Sequence, residues 1–233
     1  MYENYIFDLY GTLVDIHTNE SKPSLWKNMA QYMALQGAPY QPVELRKAYE
    51  KYIDELRVTP ETEVNLALSL RKLYTEKGIT PTSEMIAHWA LMFRTLSLKY
   101  VRLFDGAKEV LQELHRRKKK VYLLSNAQRL FTEPEMRSLG IYELFDDIFI
   151  SSDIGFMKPS KQFYTALLKK YSLDPKTCVM TGNDWLADAW GAHNNGLASM
   201  YVHTEQSPEV TGELPSDCKR LGTISDVLKY RDF

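Results

Sequence analysis

The stretch Tyr5-Ile6-Phe7-Asp8-Leu9-Tyr10-Gly11-Thr12-Leu13-Val14-Asp15 decides how this chain is read. Tyr5-Ile6-Phe7 is a short apolar run of strand character, and Asp8 stands where that run ends and a turn begins. Gly11 allows the backbone to turn sharply away from a sheet. In an open α/β sheet, ligands bind at the carboxyl ends of the strands. Asp8 is therefore the first candidate for chemistry, presented as a nucleophile. Taken alone, the eight residues from Asp8 to Asp15 also fit a strand-exit turn with no chemistry.

Working outward, the pattern from Asp15 to about Arg102 is helical. Ser21 is placed to cap a first helix, with Pro23 in its first turn and Gly37 past its end. Leu45, Ala48, Tyr49, Tyr52, Ile53 and Leu56 recur at helical spacing, and segments closing at Gly78 and at about Leu96 follow. No strand signal interrupts this block of four helices. From Phe104 the period changes. Asp105 precedes an amphipathic helix (Val110, Leu111, Leu114), and apolar runs at 121–124, 148–150, 178–180 and 199–202 alternate with helical stretches. That alternation predicts an α/β fold with a doubly wound parallel, Rossmann-like sheet. The division expected is an α/β core of residues 1–15 and 103–233 with an inserted helical domain of residues 16–102. The polar stretch from His203 to about Arg220 reads as the most mobile loop.

Composition limits the partners. The chain has 233 residues, 44% hydrophobic and 25% charged, which is ample for a buried core without staples. Its 29 Lys and Arg against 30 Asp and Glu leave a net charge of −1, which argues against a polyanion partner such as nucleic acid. The basic run Arg116-Arg117-Lys118-Lys119-Lys120 closes a helical segment, where cations complement the helix dipole, and reads as a solvated helix end. Cys178 and Cys218 carry no metal spacing and little sign of a disulfide framework. No stretch approaches the roughly 18 apolar residues of a membrane span, and no signal peptide pattern is seen. A cytoplasmic protein with no membrane partner is expected.

Other strand ends carry suitable polar groups. Leu123-Leu124 runs into Ser125-Asn126, a hydroxyl and turn able to hold an oxyanion or, equally, an ordinary helix cap. Gly155-Phe156-Met157-Lys158-Pro159 offers an ammonium able to neutralise a carboxylate and an anion, though most lysines are solvated surface groups. Thr181-Gly182-Asn183-Asp184-Trp185-Leu186-Ala187-Asp188 places Asp184 and Asp188 four apart, on one face of a starting helix. Like charges at that spacing favour a cation between them, or each complements the helix dipole alone.

Together these segments resemble, in order, the four motifs of the haloacid dehalogenase (HAD) superfamily: Asp8 to Asp15, Ser125, Lys158-Pro159, and Gly182 to Asp188 followed by Gly191-Ala192. The helical block falls where that family often carries an α-helical cap. The resemblance implies a hydrolase with Asp8 as nucleophile, supported by Thr12, Ser125, Asn126, Lys158 and Asp188. It further implies Mg²⁺ held by Asp8, the carbonyl of Tyr10, Asp184 and Asp188. Asn183 stands where some members place their first acid, which passes the metal ligand to Asp184.

The chain departs from the family's phosphatases at Tyr10, where they carry a second Asp that protonates the leaving oxygen and later activates water. The phenol, with a reference pKa of about 10, replaces that acid poorly. Asp-x-Tyr-Gly-Thr also resembles the first motif of the L-2-haloacid dehalogenases, which displace halide without metal. Lys27 in Leu25-Trp26-Lys27 and Tyr164 resemble two residues that those enzymes use. Three carboxylates around one site favour the Mg²⁺-dependent phosphohydrolase of a small phosphate ester as the first reading. The metal-free dehalogenase is second, and a non-catalytic binding module on a HAD scaffold third. Lys27, Lys47, Arg57, Arg71 and His17 are the candidates for substrate specificity.

Overall fold

The computed structural model describes residues 2–230. Its main sheet has six parallel strands in the order β5-β4-β1-β6-β7-β8: β1 (Asn4–Phe7), β4 (Lys120–Ser125), β5 (Asp147–Ile150), β6 (Cys178–Gly182), β7 (Ala198–Val202) and β8 (Cys218–Leu221). Both faces are covered, so the strands read as unbroken apolar runs. Tyr5, Phe7, Val121, Leu123 and Val179 pack on one side, and Ile6, Tyr122, Leu124 and Met180 on the other. The chain winds outward from β1 both ways, through β4 to β5 and through β6 to β8. The carboxyl end of β1 is thus the point where the strand order reverses, which is where such sheets bind ligands. Asp8 follows β1 directly.

The expected sheet strands are all present, and three further strands appear where the sequence suggests none. β2 (Val14–Thr18) and β3 (Leu98–Leu103) form an antiparallel ribbon, Val14 facing Leu103, and β8 lies in the supposed loop. Each of β2 and β3 finds its partner some 80 residues away, so no local period announces it. This ribbon straddles both expected domain boundaries. From it hangs the helical block α1 (Pro23–Leu35), α2 (Pro42–Leu56), α3 (Leu66–Thr75) and α4 (Ser83–Ser97), with its own apolar cluster. Trp89 stacks on Phe93 at 5.0 Å. Phe93 faces Phe131 of α6 (Arg129–Ser138) at 6.3 Å, which seats the block on the α/β core. Ser21 does not cap α1: Lys22 takes that position, and the Ser21 hydroxyl donates to Asn19 Oδ1 at 2.8 Å.

The basic run after α5 (Ala107–Arg116) is neutralised locally, Arg116 and Arg117 by Glu113, Lys119 by Glu3 and Lys120 by Asp146. Both cysteines are free. No helix among the described residues is long and apolar enough to cross a membrane. The 203–220 segment is pinned rather than loose. Thr204 Oγ1 donates to the Gly11 carbonyl at 2.8 Å, Gln206 Nε2 to Asp15 Oδ1 at 2.6 Å, and Trp190 Nε1 to the Glu213 carbonyl at 3.0 Å.

Candidate active site

Asp8 is buried, and its backbone N–H donates to the Thr181 carbonyl of β6 at 2.9 Å, which fixes it across the strand switch. Its Oδ1 accepts from Lys158 Nζ at 2.8 Å and from Ser125 Oγ at 3.1 Å, while Oδ2 accepts from Thr12 Oγ1 at 3.1 Å. Gly11 is left-handed at φ +82°, and a Cβ there would stand 2.3 Å from Asn183 Nδ2. Only glycine satisfies both the turn and that contact.

Lys158 is fully enclosed and bridges Asp8 to Asp188, whose Oδ1 lies 2.7 Å from the ammonium. Burial opposes its charge, but the carboxylates of Asp188 and Asp8 outweigh this and hold its pKa above the ordinary value. Burial pushes Asp188 up to about 6, with Lys158 opposing and the Asp8 carboxylate adding to the rise. Asn126 does not cap a helix, since Gln128 takes that position for α6. Instead its amide brackets the Lys158 main chain, Oδ1 accepting from Lys158 N at 2.7 Å and Nδ2 donating to Lys158 O at 2.9 Å. Gly182 must be glycine because a Cβ would sit 2.0 Å from Asp188 Oδ2.

Asp8, Ser125, Lys158, Asp184 and Asp188 line one cavity of about 180 Å³ together with Tyr10, Asn126 and Asn183. Three carboxylates thus face one ammonium there, but they do not converge. Asp184 Oδ1 accepts the N–H groups of Leu186 and Ala187 at 2.9 Å each, capping the π-type turn Trp185–Trp190, and Asp188 Oδ2 accepts from Asp184 N at 2.9 Å. Among the described residues, no three acidic, His or Cys side chains form a group able to hold a metal. The helix start engages Asp184 Oδ1 while Lys158 engages Asp8 Oδ1 and Asp188 Oδ1, so the expected Asp8, Asp184 and Asp188 are not gathered around one point in this arrangement. Asn183 instead faces Asp8. Thr12 Oγ1 lies 3.1 Å from Asp8 Oδ2 and 3.2 Å from Asn183 Oδ1, so its single proton serves only one of these two cavity-lining oxygens at a time. An oxygen pair short of donors fits a hard cation.

Tyr10 turns its hydroxyl away from Asp8. The hydroxyl donates to Glu135 Oε2 and lies 3.1 Å from Thr132 Oγ1 on α6; burial and the neighbouring Glu135 raise its pKa far above the phenol range. Burial also raises Glu135, which Arg94 of α4 contacts at 2.9 Å. The two residues that resembled dehalogenase machinery do not reach this cavity. Lys27 is exposed on α1, and the buried Tyr164 hydroxyl donates to the Ala187 carbonyl at 2.8 Å. Of the specificity candidates, Arg57 lines a neighbouring cavity and His17 a separate groove. Lys47 is exposed, and Arg71 is spent on the Pro81 carbonyl and Ser83. Arg94, Glu20, Tyr49 and Phe131 line the neighbouring cavity, and Gln206 the one beside Asp8. Sequence reading missed these roles because a residue's place on the helical block or in the 203–208 loop carries no sign of what it faces.

Residues 2–196 match the haloacid dehalogenase-like hydrolases. The chain belongs to that family. This HAD chain is 22% identical to the glyceraldehyde 3-phosphate phosphatase of Methanothermobacter thermautotrophicus, over 100% of its own length and 99% of that protein's. It is 25% identical to the (S)-2-haloacid dehalogenase of Pseudomonas sp. strain YL, covering 90% of the chain and 86% of the relative. The 2-haloacid dehalogenase of Pseudomonas syringae pv. tomato has the same fold, with a TM-score of 0.66 at 17% identity, covering 98% and 97% of the two chains. The HAD chain is a hydrolase, which removes the reading as a non-catalytic module.

Proposed function

We propose that this HAD hydrolase is a Mg²⁺-dependent phosphohydrolase of a small phosphate ester. The observation that supports it most is charge: the cavity around Asp8 is lined by three carboxylates and one ammonium. A phosphate entering such a cavity meets repulsion that a divalent cation relieves. Asp8, the Tyr10 carbonyl and Asn183 are the residues that would hold Mg²⁺, with Asn183 taking the part first expected of Asp184. Mg²⁺ bound there supplies the positive charge that a phosphoryl group requires. The relatives named glyceraldehyde 3-phosphate phosphatase support the same substrate class.

In this reading Asp8 attacks phosphorus, and water then hydrolyses the aspartyl phosphate. Lys158 and Ser125, both bonded to Asp8 Oδ1, orient the carboxylate and face the incoming phosphoryl oxygens. Asp188 keeps Lys158 charged, and Asn126 fixes its main chain. The helical block of residues 23–97 acts as the cap over the site. The test is an assay of phosphate esters and 2-haloacids, with Mg²⁺ and with a chelator, on wild type and Asp8→Asn. Phosphate release that needs Mg²⁺ and vanishes in Asp8→Asn is expected. Halide release that ignores the chelator would establish the dehalogenase reading in its place. One observation favours that second reading, namely that the Tyr10 hydroxyl is withheld from Asp8 and a departing halide needs no proton.

A further inference from the structure

The core and the helical block enclose a second cavity of about 340 Å³, which meets the catalytic cavity at Tyr10 and Asn126, residues that line both. Its walls carry the rings of Tyr49 and Phe131 beside Ile53 and Leu66, with the Arg94 guanidinium 4.1 Å over the Phe131 ring. A substrate whose phosphoryl group meets Asp8 therefore directs its remainder past the Tyr10 ring into a space walled by the Tyr49 and Phe131 rings and by the charged Glu20, Arg57, Glu63 and Arg94. Offset and edge-on ring contacts make such walls suited to another ring.

Among the described residues, no hydroxyl beside Asp8 is free to donate a proton to a departing oxygen. The Tyr10 hydroxyl is held by Glu135 and Thr132, and the hydroxyls of Ser125 and Thr12 donate to Asp8 itself. Lys158 is shared between two carboxylates, Asp188 accepts from Lys158 and Asp184 N, and Asp184 accepts two backbone N–H groups. The remaining polar neighbours, Asn126, Asn183 and Gln206, are amides.

We infer that the substrate is an aryl phosphate, its ring in the second cavity and its phenolate leaving unprotonated, a deepening that rests on the phosphohydrolase reading above. An Asp8 oxygen bonds to phosphorus as the phosphorus–aryl oxygen bond breaks, and the phenolate carries off the electron pair. Water then adds to phosphorus, the Asp8–phosphorus bond breaks, both water hydrogens stay on the phosphate product, and Asp8 returns as a carboxylate. A phenol has a pKa of about 10, whereas an alcohol is close to water at about 15.7, so only the former leaves readily without an acid. With its hydroxyl held by Glu135 and Thr132, Tyr10 gives no help to the attacking water, so the aspartyl phosphate accumulates.

The test measures kcat/KM, which reports cleavage of the first bond, for phenyl, 4-nitrophenyl and ethyl phosphate with Mg²⁺ on the full chain. Phenyl phosphate should exceed ethyl phosphate by at least about 100-fold, the lower bound of what an acid normally contributes. Rapid mixing with 4-nitrophenyl phosphate should release a burst approaching one phenolate per chain. Tyr49→Ala should raise KM for phenyl phosphate several-fold more than for acetyl phosphate, which leaves easily but has no ring. Similar kcat/KM on ethyl and phenyl phosphate would overturn the inference and leave the phosphohydrolase intact, and equal KM effects of Tyr49→Ala would overturn the placement of the ring. No phosphate turnover at all, with chloride released from 2-chloropropionate, would overturn both readings.

Discussion

Replacing Lys158 by Met leaves Asp8 and Asp188 facing each other in a buried site with no cation between them. Both carboxylates lie within 2.8 Å of the same nitrogen in the wild type. At a separation of about 5 Å and an effective dielectric of about 20, their repulsion is about 3 kcal/mol. Removing one partner from a buried ion pair generally costs about 3–5 kcal/mol, so a loss of that size is expected at neutral pH. The folded variant escapes by keeping a proton on one carboxyl. Its carboxyl pKa then lies above the unfolded value of about 4, and the folded state binds more protons than the unfolded one. Stability must therefore fall as pH rises through the window between those values, and the deficit of Lys158→Met against wild type should shrink by at least half from pH 7.5 to pH 5. Urea unfolding followed by the fluorescence of the four tryptophans, in chelator, measures this directly. Adding Asp188→Asn to Lys158→Met should restore most of the stability at pH 7.5. A deficit equal at both pH values, or no rescue, would refute the electrostatic account and leave a packing defect in its place.

Gly182→Ala would push a methyl against Asp188 Oδ2, where 2.0 Å is available, and should cost about 1–3 kcal/mol together with most turnover, read by urea unfolding and phosphate release. Asn183→Asp adds a negative oxygen donor beside Asp8 and should lower the Mg²⁺ concentration for half-maximal activity by about 10-fold or more; an unchanged Mg²⁺ dependence would count against Asn183 as a ligand. Tyr164→Phe removes a hydroxyl bonded only to main-chain carbonyls, and should cost about 1–2 kcal/mol while keeping kcat within a few-fold. Tyr10→Asp brings a carboxyl next to the leaving group and should raise turnover of ethyl phosphate by about 10-fold or more without a similar gain for phenyl phosphate.

The parallel sheet was legible because its strands are buried on both faces, so Tyr5-Ile6-Phe7, the 121–124 run and Cys178-Val179-Met180 stand out as continuous apolar segments. The four helices of the insertion were legible from their period, since each buries one stripe of residues such as Trp89, Ala90 and Phe93. Asp8, Ser125 and Lys158 could be named in advance for a related reason: each lies at or beyond a strand end, and strand ends of one sheet converge whatever the loops do. The ribbon β2–β3 could not be named, because its hydrogen bonds join segments some 80 residues apart and the apolar face of each half is only two residues long, Val14 with Ile16 and Val101 with Leu103.

Residue types and strand ends by themselves determined that a carboxylate, a hydroxyl and an ammonium would meet at the carboxyl edge of a parallel sheet. Direction was decided only by tertiary structure. Tyr10 turns toward Glu135, 125 positions away in sequence, Asp184 caps its own helix, and Asn183 reaches Asp8 through Thr12. Each outcome is a competition for hydrogen-bond partners among distant groups, and a buried donor or acceptor takes the partner that packing puts within reach. Local sequence supplies the competitors, and the folded chain alone selects which of them win.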